Sequence, residues 1–504
     1  MFGSVVGIDL GTSSVKVIAV TQAGVVLTTA SRTYPMLHPE PGAAEQDPDV
    51  WWEAVSGALR EVTAIVPDVV AVGLTGQMHG AVFLGRDLRP LRPAITWGDT
   101  RGGPQARAIE EAVGRERLAE LTGTAIASGF QAASIRWVQE HEPDVWEQVV
   151  TVLLPKDEIR RRLSGALGTD PSDAAGTGLL EVRRQRWSKA MLSLMGLEWD
   201  QLPFIAGSRR STGAIDAGGA CDSGLPVGIP VAGGAGDAPA GAIAAGVVEE
   251  GDLLLSLSSG AQVIAPVRTP VVDPALRVHT FASALDPDAG EPAWNVMGAT
   301  MAAGSAIRWL RDEIFGLRSE AALAEMEEAA AVVPAGAGGL LFLPYLAGER
   351  TPHLDPDARG MFLGLSAEHG RGHVVRSVME GSIFALMDAY AVVRELVPEP
   401  PRRVVLAGGG SRSPLWRQIV ADVFDLPISP LTVGEQSAMG AAMLAAAYDQ
   451  RVPVSEIARA WVRLDAPVEP IPANVSRYRE LFAIYRELYP LHREHFQRLK
   501  ALRS

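Results

Sequence analysis

Two similar hairpin patterns, one in each half of the chain, constrain the fold more than any other feature of the sequence. In the first, an apolar run ending at Asp9 is followed by a Gly-Thr-Ser-Ser turn at 11–14 and a β-branched run up to Val20, which is typical of strand, tight turn and strand. The backbone N–H groups and hydroxyls of the turn suit a phosphate chain. Asp9 stands where a hydrated Mg²⁺ on that phosphate needs a hard oxygen ligand. An ordinary hairpin with one acidic residue is the alternative interpretation.

The second pattern, at 253–265, repeats the apolar runs and the hydroxyl-rich turn after a one-residue gap, with Ser256 in place of Asp9. Such a repeat predicts two similar domains that face one nucleotide. Because the second pattern lacks the aspartate, only the first domain is expected to carry the carboxylate near the metal.

The composition limits the classes of partner. A chain of 504 residues exceeds what one hydrophobic core usually supports, so two or three domains are expected. The net charge of −14 argues against nucleic acid, whose phosphates need a basic face, but not against ATP, which needs only a local pocket. The single cysteine, Cys221, excludes an internal disulfide framework and fits a reducing cytoplasm.

We expect neither a secretory signal nor a membrane segment. Asp9 and Lys16 interrupt the only apolar stretch near the N-terminus. The longest uncharged stretch, 329–348, contains two prolines and four glycines, so it predicts a loop and a buried strand rather than a membrane span. A cytoplasmic protein without membrane association is therefore expected.

The order of elements predicts an α/β fold. Residues 48–66 have helical spacing with Asp47 as a candidate N-cap, and an apolar strand follows at 69–74. Strand, helix and strand in this order imply parallel pairing. Residues 207–234 show little helical pattern, so we place a domain boundary just after them. The two predicted domains are 1–243 and 244–504.

In the second half, a short buried strand at 404–407 runs into a glycine-rich turn. Ser413 is expected to cap the helix that begins at Pro414. A turn without side chains lets a flat adenine ring approach the backbone closely. A final amphipathic helix from Val475 is expected to pack against a domain, with the first domain as one candidate. The remaining predicted helices lie at 104–122, 132–149, 302–330, 371–396, 414–424 and 437–448.

Common nucleotide-binding motifs are absent from the sequence. None of the four lysines follows a glycine, which excludes a Walker A loop. No His-Arg-Asp or Asp-Phe-Gly sequence occurs, so the protein-kinase layout is excluded. The phosphate-binding arrangement that remains consists of the two hairpin turns and the glycine-rich turn that follows the strand at 404–407.

Asp237 is the candidate catalytic residue. It follows a run of small residues at 231–236, which would let a substrate reach its carboxylate. Phosphoryl transfer to an alcohol needs a positioned acceptor for the hydroxyl proton, and a carboxylate serves this purpose. The alternative is an aspartate that only caps the following helix.

Met78 and His79 are candidate substrate contacts. They follow the strand at 69–74 directly, at the carboxyl end where α/β folds bind ligands. One polar contact and one apolar wall would suit a small polyol or sugar. The alternative is a loop histidine whose polar atoms are satisfied within the protein.

Taken together, the motifs resemble the FGGY family of sugar kinases and, within it, the xylulokinases. Gln-Met-His at 77–79 is the part most specific to that branch. The resemblance covers nearly the whole chain in order, through residues 7–13, 45–52, 76–80, 154–157, 172–177, 342–353 and 360–380.

The resemblance implies two ribonuclease H-like domains of the actin and hexokinase type around a central cleft. ATP, Mg²⁺ and a ketopentose are the implied ligands, and a homodimer is common in the family. Asp237 would accept the hydroxyl proton, and Asp9 would lie near the transferring phosphate and hold the metal through water. Met78 and His79 would contact the sugar. The implied nucleotide contacts are Gly11, Thr12, Ser13, Ser259 and Gly260 for the phosphates, and Gly409, Gly410 and Ser411 for the adenosine.

Several positions depart from the family pattern. The second turn reads Ser-Ser-Gly-Ala at 258–261, where Gly-Thr-Ser-Gly is usual. Ala238 and Gly98 each replace a common asparagine, and Ser134 replaces a common lysine. These three replacements bear on the identity of the sugar more than on kinase chemistry.

The leading hypothesis is ATP-dependent phosphorylation of D-xylulose at a primary hydroxyl, which gives D-xylulose 5-phosphate. One alternative is a kinase of the same family that acts on another ketose or polyol. A second alternative, suggested by the altered second turn, is a sensor that binds sugar and ATP without catalysis. Retention of Asp9 and Asp237 argues against the sensor.

Overall fold

The computed structural model describes residues 3–319, 321–432 and 436–502. The chain forms two compact units. The first unit contains Met1–Glu250, Pro266–Asn295 and Glu435–Val462, and the second contains Gly251–Ala265, Val296–Gly434 and Arg463–Ser504. The boundary predicted after residue 243 lies near the end of the first of these stretches and stays a prediction.

Both units combine helices with strands. The strands are β1 (Ser4–Leu10), β2 (Ser14–Val20), β3 (Val26–Thr33), β4 (Glu45–Gln46), β5 (Val69–Gly76), β6 (Val82–Leu84), β7 (Ala94–Ile95), β8 (Thr151–Leu153), β9 (Gly168–Thr169), β10 (Leu180–Glu181), β11 (Arg186–Trp187), β12 (Phe204–Ile205), β13 (Ser211–Ala214), β14 (Pro230–Ala232), β15 (Ala235–Gly236), β16 (Asp252–Leu257), β17 (Ala261–Val267), β18 (His279–Ala282), β19 (Trp294–Thr300), β20 (Leu341–Leu343), β21 (Met361–Leu363), β22 (Arg403–Ala407) and β23 (Ile428–Pro430). The α-helices are α1 (Pro48–Ile65), α2 (Gly103–Val113), α3 (Arg115–Thr122), α4 (Gln131–His141), α5 (Pro143–Trp146), α6 (Pro155–Ser164), α7 (Pro171–Ala174), α8 (Lys189–Met195), α9 (Ala217–Ser223), α10 (Asp237–Ala244), α11 (Gly304–Trp309), α12 (Ala321–Ala331), α13 (Arg371–Leu396), α14 (Pro414–Phe424), α15 (Gln436–Gln450), α16 (Val454–Trp461) and α17 (Pro472–Ala501).

The first unit is built on a sheet with strand order β13-β14-β5-β1-β2-β3, in which the short strand β15 also pairs with β5. β1 and β2 form the predicted antiparallel hairpin, with Asp9 opposite Lys16. β5 lies parallel to β1, since the chain returns through the crossover helix α1. The predicted hairpin, the parallel pairing and the α/β class are therefore confirmed.

α1 begins where the sequence predicts, because the carboxylate of Asp47 accepts a hydrogen bond from the N–H of Asp49 at 2.8 Å. Pro48 occupies the first turn, where its missing N–H costs nothing. The helix buries Trp51 and Leu59 and packs on β2 and β3. This packing covers one face of the sheet and fixes the strands whose ends carry the candidate site.

The other face of β1 and β5 is covered by α15, which packs unusually close to them. A Cβ atom at Gly7 would lie 2.1 Å from the carbonyl oxygen of Ala438. A Cβ atom at Gly73 would lie 1.9 Å from the carbonyl oxygen of Ala441. Since no real Cβ tolerates such distances, both glycines are required for this helix to seat on the sheet.

The second unit is organised in the same way. Strands β19, β17, β16, β22 and β23 lie in that order, with β16 and β17 antiparallel and β16 and β22 parallel. The second predicted hairpin and the predicted strand before the glycine-rich turn are therefore confirmed. The register places Ser256 opposite Ala407, so β16 and β22 end side by side.

Helices α13 and α14 match their predicted ranges. The hydroxyl of Ser413 caps α14 by accepting the N–H of Trp416 at 3.1 Å, as the sequence indicates. The final helix α17 packs against α13 and α14 within the second unit. It buries Tyr478 and Tyr485, two members of its predicted apolar face.

Three predicted helices are each divided in the structure. The helix predicted over 302–330 is divided into α11, a π-helical turn at Leu310–Ile314 and α12, because Gly316, with φ at +65°, interrupts it. The helix predicted over 104–122 breaks at Gly114, whose φ of +82° lies in the left-handed region. The helix predicted over 132–149 ends at His141 because Pro143 cannot continue it, and the short helix α5 follows.

The segment 207–234, which lacks a helical pattern in sequence, nevertheless contains α9. Its N-cap, Asp216, accepts the N–H of Gly219 at 2.8 Å. Glycines in the first turn weaken the pattern without preventing a capped helix. Across the residues that the structure describes, no helix is both long and apolar enough to cross a membrane.

Candidate active site

Three parallel strands of the first unit end side by side. In the sheet register Leu10 of β1 lies opposite Gly76 of β5, and Gly236 of β15 lies opposite the same glycine. The segments that follow these strands therefore start at one edge of the sheet. These segments are the turn at 11–14, the pair Met78 and His79, and Asp237.

Close packing brings Met78 against the strand that leads to Asp237. A Cβ atom at Gly236 would lie 2.7 Å from Cγ of Met78, and one at Gly176 would lie 3.0 Å from its Cε. Met78 is buried, with 4 % of its surface exposed. Because neither position carries a side chain, Met78 can lie beside the start of α10.

His79 is fixed in an unusual backbone conformation, with φ at +76°. This left-handed geometry is costly for a residue other than glycine and is concentrated at functional sites. Its ring stacks on Phe130, with centroids 4.0 Å apart and planes 9° from parallel. Its Nδ1 lies 2.6 Å from the carbonyl oxygen of Gly176. Because a carbonyl only accepts, Nδ1 carries the proton and Nε2 is the acceptor nitrogen in the neutral ring.

A second histidine lies beside this pair and was not singled out in the sequence. His279 stacks on Phe281 with centroids 5.0 Å apart, and its Nδ1 lies 2.6 Å from Oγ1 of Thr124. The Phe281 ring lies 6.2 Å from that of His79. No local motif marks these residues, because they come from distant parts of the first unit.

Asp237 is the first residue of α10, and its carboxylate accepts the N–H of Ala238 at 2.8 Å. Burial raises the pKa of Asp237 to about 6, although hydrogen bonds from backbone N–H groups act in the opposite direction. Gly236 is the N-cap of α10, so Asp237 lies one residue inside the helix that the capping alternative had it cap. A carboxylate with a pKa near neutrality is also suited to accept a proton.

The turn after Asp9 is held from several sides. The N–H of Gly11 donates to the carbonyl oxygen of Ser14 at 3.0 Å, which closes the turn. The indole N–H of Trp97 donates to Oγ1 of Thr12 at 2.9 Å. Burial and the nearby charge of Asp9 raise the pKa of Tyr34, whose hydroxyl donates to the carbonyl oxygen of Gly11. Ser13 is exposed at the tip.

Gln46, which is almost fully buried, joins this turn to the Gln-Met-His segment. Its amide nitrogen donates to the carbonyl oxygen of Thr12 at 2.7 Å. Its amide oxygen accepts from Nε2 of Gln77 at 2.9 Å and from the indole of Trp51 at 3.2 Å. The family motif at 45–52 includes Gln46, but its bridging role follows only from the structure.

A fully buried ionic cluster lies behind the candidate sugar site. Nζ of Lys156 lies 2.7 Å from Asp157, 3.0 Å from Asp170 and 3.3 Å from Asp173. Burial opposes the charge of Lys156, but the three carboxylates raise its pKa overall. Burial raises the pKa of Asp173 well above its usual range, although the charge of Lys156 acts in the opposite direction.

In the second unit, the turn after β16 and the glycine-rich turn after β22 lie at the same sheet edge. A Cβ atom at Gly408 would lie 2.4 Å from the carbonyl oxygen of Leu257, and one at Gly410 would lie 2.8 Å from Cβ of Leu257. Gly409 has open space around its Cα and is exposed. The hydroxyl of Ser411 donates to the carbonyl oxygen of Gly408 at 2.8 Å and so belongs to the turn itself.

The altered second turn, at 258–261, is held in place by hydrogen bonds from neighbouring residues. The carbonyl oxygen of Ser259 accepts the N–H groups of Ala303 and Ser305, each at 2.9 Å. The guanidinium of Arg308, which the sequence did not single out, donates to Oγ of Ser259 at 2.8 Å. A Cβ atom at Gly260 would lie 2.3 Å from the carbonyl oxygen of Thr300, so glycine is required there.

The structure tests whether the protein could hold a metal by itself. Among the described residues, no group of three or more histidine, cysteine, aspartate or glutamate side chains could hold a metal ion. A single carboxylate at Asp9 fits a hydrated Mg²⁺ whose other ligands are nucleotide oxygens and water.

Both halves of the chain match models of one protein family. The N-terminal domain model of the FGGY family of carbohydrate kinases matches residues 4–244, and the C-terminal domain model matches residues 258–448. The chain therefore belongs to the FGGY family of carbohydrate kinases. It is a phosphotransferase that acts on a sugar hydroxyl, and ATP is the donor that this family implies.

Individual relatives are similar over most of the chain. The xylulose kinase of Bacillus subtilis (strain 168) is 35% identical over 505 residues, which cover 99% of this chain and 99% of that protein. The xylulose kinase of Escherichia coli (strain K12) is 38% identical over 443 residues, which cover 87% and 89% of the two chains. The crystal structure of xylulose kinase from Rhodospirillum rubrum superposes with a TM-score of 0.90 at 32% identity, covering 98% of this chain and 100% of that one.

Proposed function

We propose that the protein phosphorylates D-xylulose with ATP and releases D-xylulose 5-phosphate and ADP. The observation that carries this proposal is the shared register of Leu10, Gly76 and Gly236, which places the candidate phosphate turn, sugar contacts and base at one sheet edge. The similarity to xylulose kinases supports D-xylulose as the substrate.

Asp237 is proposed as the proton acceptor. A primary hydroxyl oxygen of the sugar forms the new bond to the γ-phosphorus, and the bond from that phosphorus to ADP breaks. The hydroxyl proton passes to the Asp237 carboxylate, which is mostly ionised at neutral pH because its pKa lies at about 6. The small residues before it leave room for the substrate.

Met78 and His79 are proposed to bind the sugar. The Met78 side chain offers an apolar wall against the carbon chain. His79, whose Nδ1 proton is directed to Gly176, is proposed as the polar contact for a sugar hydroxyl. A ring held by stacking and by a backbone carbonyl is already oriented before the substrate arrives, which favours productive binding.

The nucleotide contacts are proposed by position. Gly11, Thr12 and Ser13 of the first unit, and Ser259 and Gly260 of the second, would contact the phosphates of ATP. Gly409, Gly410 and Ser411 would lie against the adenosine. Asp9 would hold Mg²⁺ through water, and the bound metal would neutralise phosphate charge during transfer.

A kinase of another ketose or polyol is the second candidate. Ala238 directly follows the candidate base, and its methyl group offers no hydrogen bond where the family commonly has an asparagine. Gly98 removes a second amide. Each replacement takes away a possible partner for a sugar hydroxyl, which would relax or change the preference among sugars.

The proposal is tested by sugar-dependent ADP release from the purified protein with Mg·ATP. The panel contains D-xylulose, D-ribulose, erythrulose and glycerol. We expect the highest kcat/KM for D-xylulose. A clearly higher value for another sugar would assign the protein to the second candidate function, and tight ATP binding without sugar-dependent turnover would identify a sensor.

A further inference from the structure

The segment from Asp170 to Thr177 contacts both ends of the candidate sugar site. The carbonyl oxygen of Gly176 accepts the Nδ1 proton of His79. Four residues earlier, Oγ of Ser172 accepts the N–H of Gly236 at 3.2 Å. Gly236 directly precedes Asp237, so this one segment holds the backbone at the sugar-binding side chains and at the proposed base.

The Ser172 hydroxyl is itself fixed in direction. It donates to Oδ2 of Asp170 at 2.6 Å, and the same oxygen accepts the N–H of Ser172 at 2.8 Å. Because the single hydroxyl proton is used on the carboxylate, the lone pairs of Oγ are left for the N–H of Gly236. The direction of this hydrogen bond is therefore determined rather than averaged over rotamers.

Asp170 in turn is anchored in the buried ionic cluster. Its Oδ1 lies 3.0 Å from Nζ of Lys156, and its Oδ2 also accepts the hydroxyl of Ser208 at 3.1 Å. Asp170, Ser172 and Lys156 have no exposed surface. The buried ion pair with Lys156 and the hydrogen bonds to the Asp170 carboxylate are strong in such surroundings, so they would hold Ser172 in place.

We propose that Ser172 is a positioning residue for Asp237, acting through the N–H of Gly236. The inference rests on the proposed role of Asp237 as the base. The proposed role of Ser172 is to fix the backbone from which the base projects. A small displacement of a base lowers the rate of transfer more than it weakens binding.

Ser208 provides a matched control. It is also buried, and its hydroxyl also donates to Oδ2 of Asp170. Substituting alanine at either serine removes one hydroxyl from the same carboxylate oxygen, so both variants disturb the ionic cluster similarly. Only Ser172→Ala also removes the acceptor for Gly236.

The first measurement is steady-state kinetics of Ser172→Ala and Ser208→Ala with the best sugar substrate of the wild type. We expect Ser172→Ala to lower kcat by about 10- to 100-fold with little change in the KM for sugar, and Ser208→Ala to keep kcat near the wild-type value. Equal losses in the two variants would overturn the proposal, since the effect would then come from the cluster alone.

The second measurement is amide hydrogen exchange across residues 233–240 in the full chain. We expect faster exchange at Gly236 in Ser172→Ala than in the wild type and in Ser208→Ala. Unchanged exchange would overturn the proposal. If Ser172→Ala does not fold, Ser172→Cys, with a similar size and only a weak acceptor, is expected to show the same loss of kcat and the same faster exchange.

Failure of this inference and failure of the proposed function give different results. A wild type without sugar-dependent ADP release would contradict the kinase role of Asp237 while the exchange experiment still tests the hydrogen bond. An active wild type with kcat and exchange unaffected by Ser172→Ala would contradict the inference alone.

Discussion

Nδ1 of His79 lies 2.6 Å from the carbonyl oxygen of Gly176, and this contact sets the tautomer of the imidazole. The backbone of His79 has φ at +76°. Its ring stacks on Phe130 and is hydrogen-bonded to Gly176, so it has little freedom to turn. A histidine that donates with Nδ1 and accepts with Nε2 is suited to bind a sugar hydroxyl at a defined position.

Replacement of His79 by asparagine should weaken sugar binding selectively. Asparagine can keep the hydrogen bond to Gly176 but has no counterpart of Nε2, so we expect the KM for sugar to rise about tenfold, the value of one hydrogen bond. The KM for ATP should not change. His141→Asn is the control, because His141 also stacks on an aromatic ring, Trp137, and also contacts a backbone carbonyl. Similar effects in the two variants would contradict the sugar-binding role.

The rate of the wild type should depend on the ionisation of Asp237. Since burial raises the pKa of this carboxyl to about 6, the ionised base increases in population as pH rises through that value. We expect kcat/KM to rise from about pH 5 to about pH 7 and then level off. A profile that is flat across this range, measured with the best sugar, would show that another group accepts the proton.

Gly260→Ala should raise the KM for ATP. The added Cβ would lie 2.3 Å from the carbonyl oxygen of Thr300, so the turn at 258–260 would have to move. We expect an increase of about tenfold or more in this KM, with the KM for sugar little changed. Gly370→Ala, in the same unit at a position with open space, should leave both constants unchanged. An unchanged KM for ATP in Gly260→Ala would exclude this turn from the nucleotide site.

The stability of the second unit should depend on the protonation of Glu349. Burial raises the pKa of this carboxyl from 4.5 to about 8, although the N–H groups of Arg350 and Met301 donate to it. The folded protein thus retains a proton that the unfolded chain releases. The resulting stabilisation of the folded state is fully present below the unfolded pKa and is lost as pH rises through about 8.

Glu349→Gln should therefore flatten the decrease in thermal midpoint between about pH 5 and about pH 8. The measurement is thermal unfolding across this range. Glu494→Gln, an exposed change on α17, is the control and should keep the wild-type slope. A variant at Glu349 with the wild-type slope would mean that this carboxyl is already ionised in the folded state.

Local signals in the sequence predicted the elements that carry the site. The two hairpins, the capped starts of α1 and α14, and the strand before the Gln-Met-His segment each follow from short-range patterns of apolar, hydroxyl and turn residues. The contacts of α15 with Gly7 and Gly73 were not predicted, because small residues show that a close approach is possible but not which helix makes it.

The hydrogen bonds that hold the candidate site in place could not be predicted from the sequence patterns either. Ser172 and Gly236 are 64 positions apart, and His79 and Gly176 are 97 positions apart. Each contact joins a side chain to a distant backbone group, which leaves no periodicity or motif at either end. The resemblance to the family includes the motif at 172–177, but the structure is needed to show what that motif contacts.

The most direct test of the central claim is to identify the product made by the wild type and by Asp237→Asn from D-xylulose and Mg·ATP. Phosphorus NMR distinguishes a sugar phosphate ester from inorganic phosphate. We predict that the wild type forms D-xylulose 5-phosphate together with an equal amount of ADP, and that Asp237→Asn forms it about 10²- to 10⁴-fold more slowly. Release of inorganic phosphate without a sugar ester, or near-normal turnover by Asp237→Asn, would contradict the account.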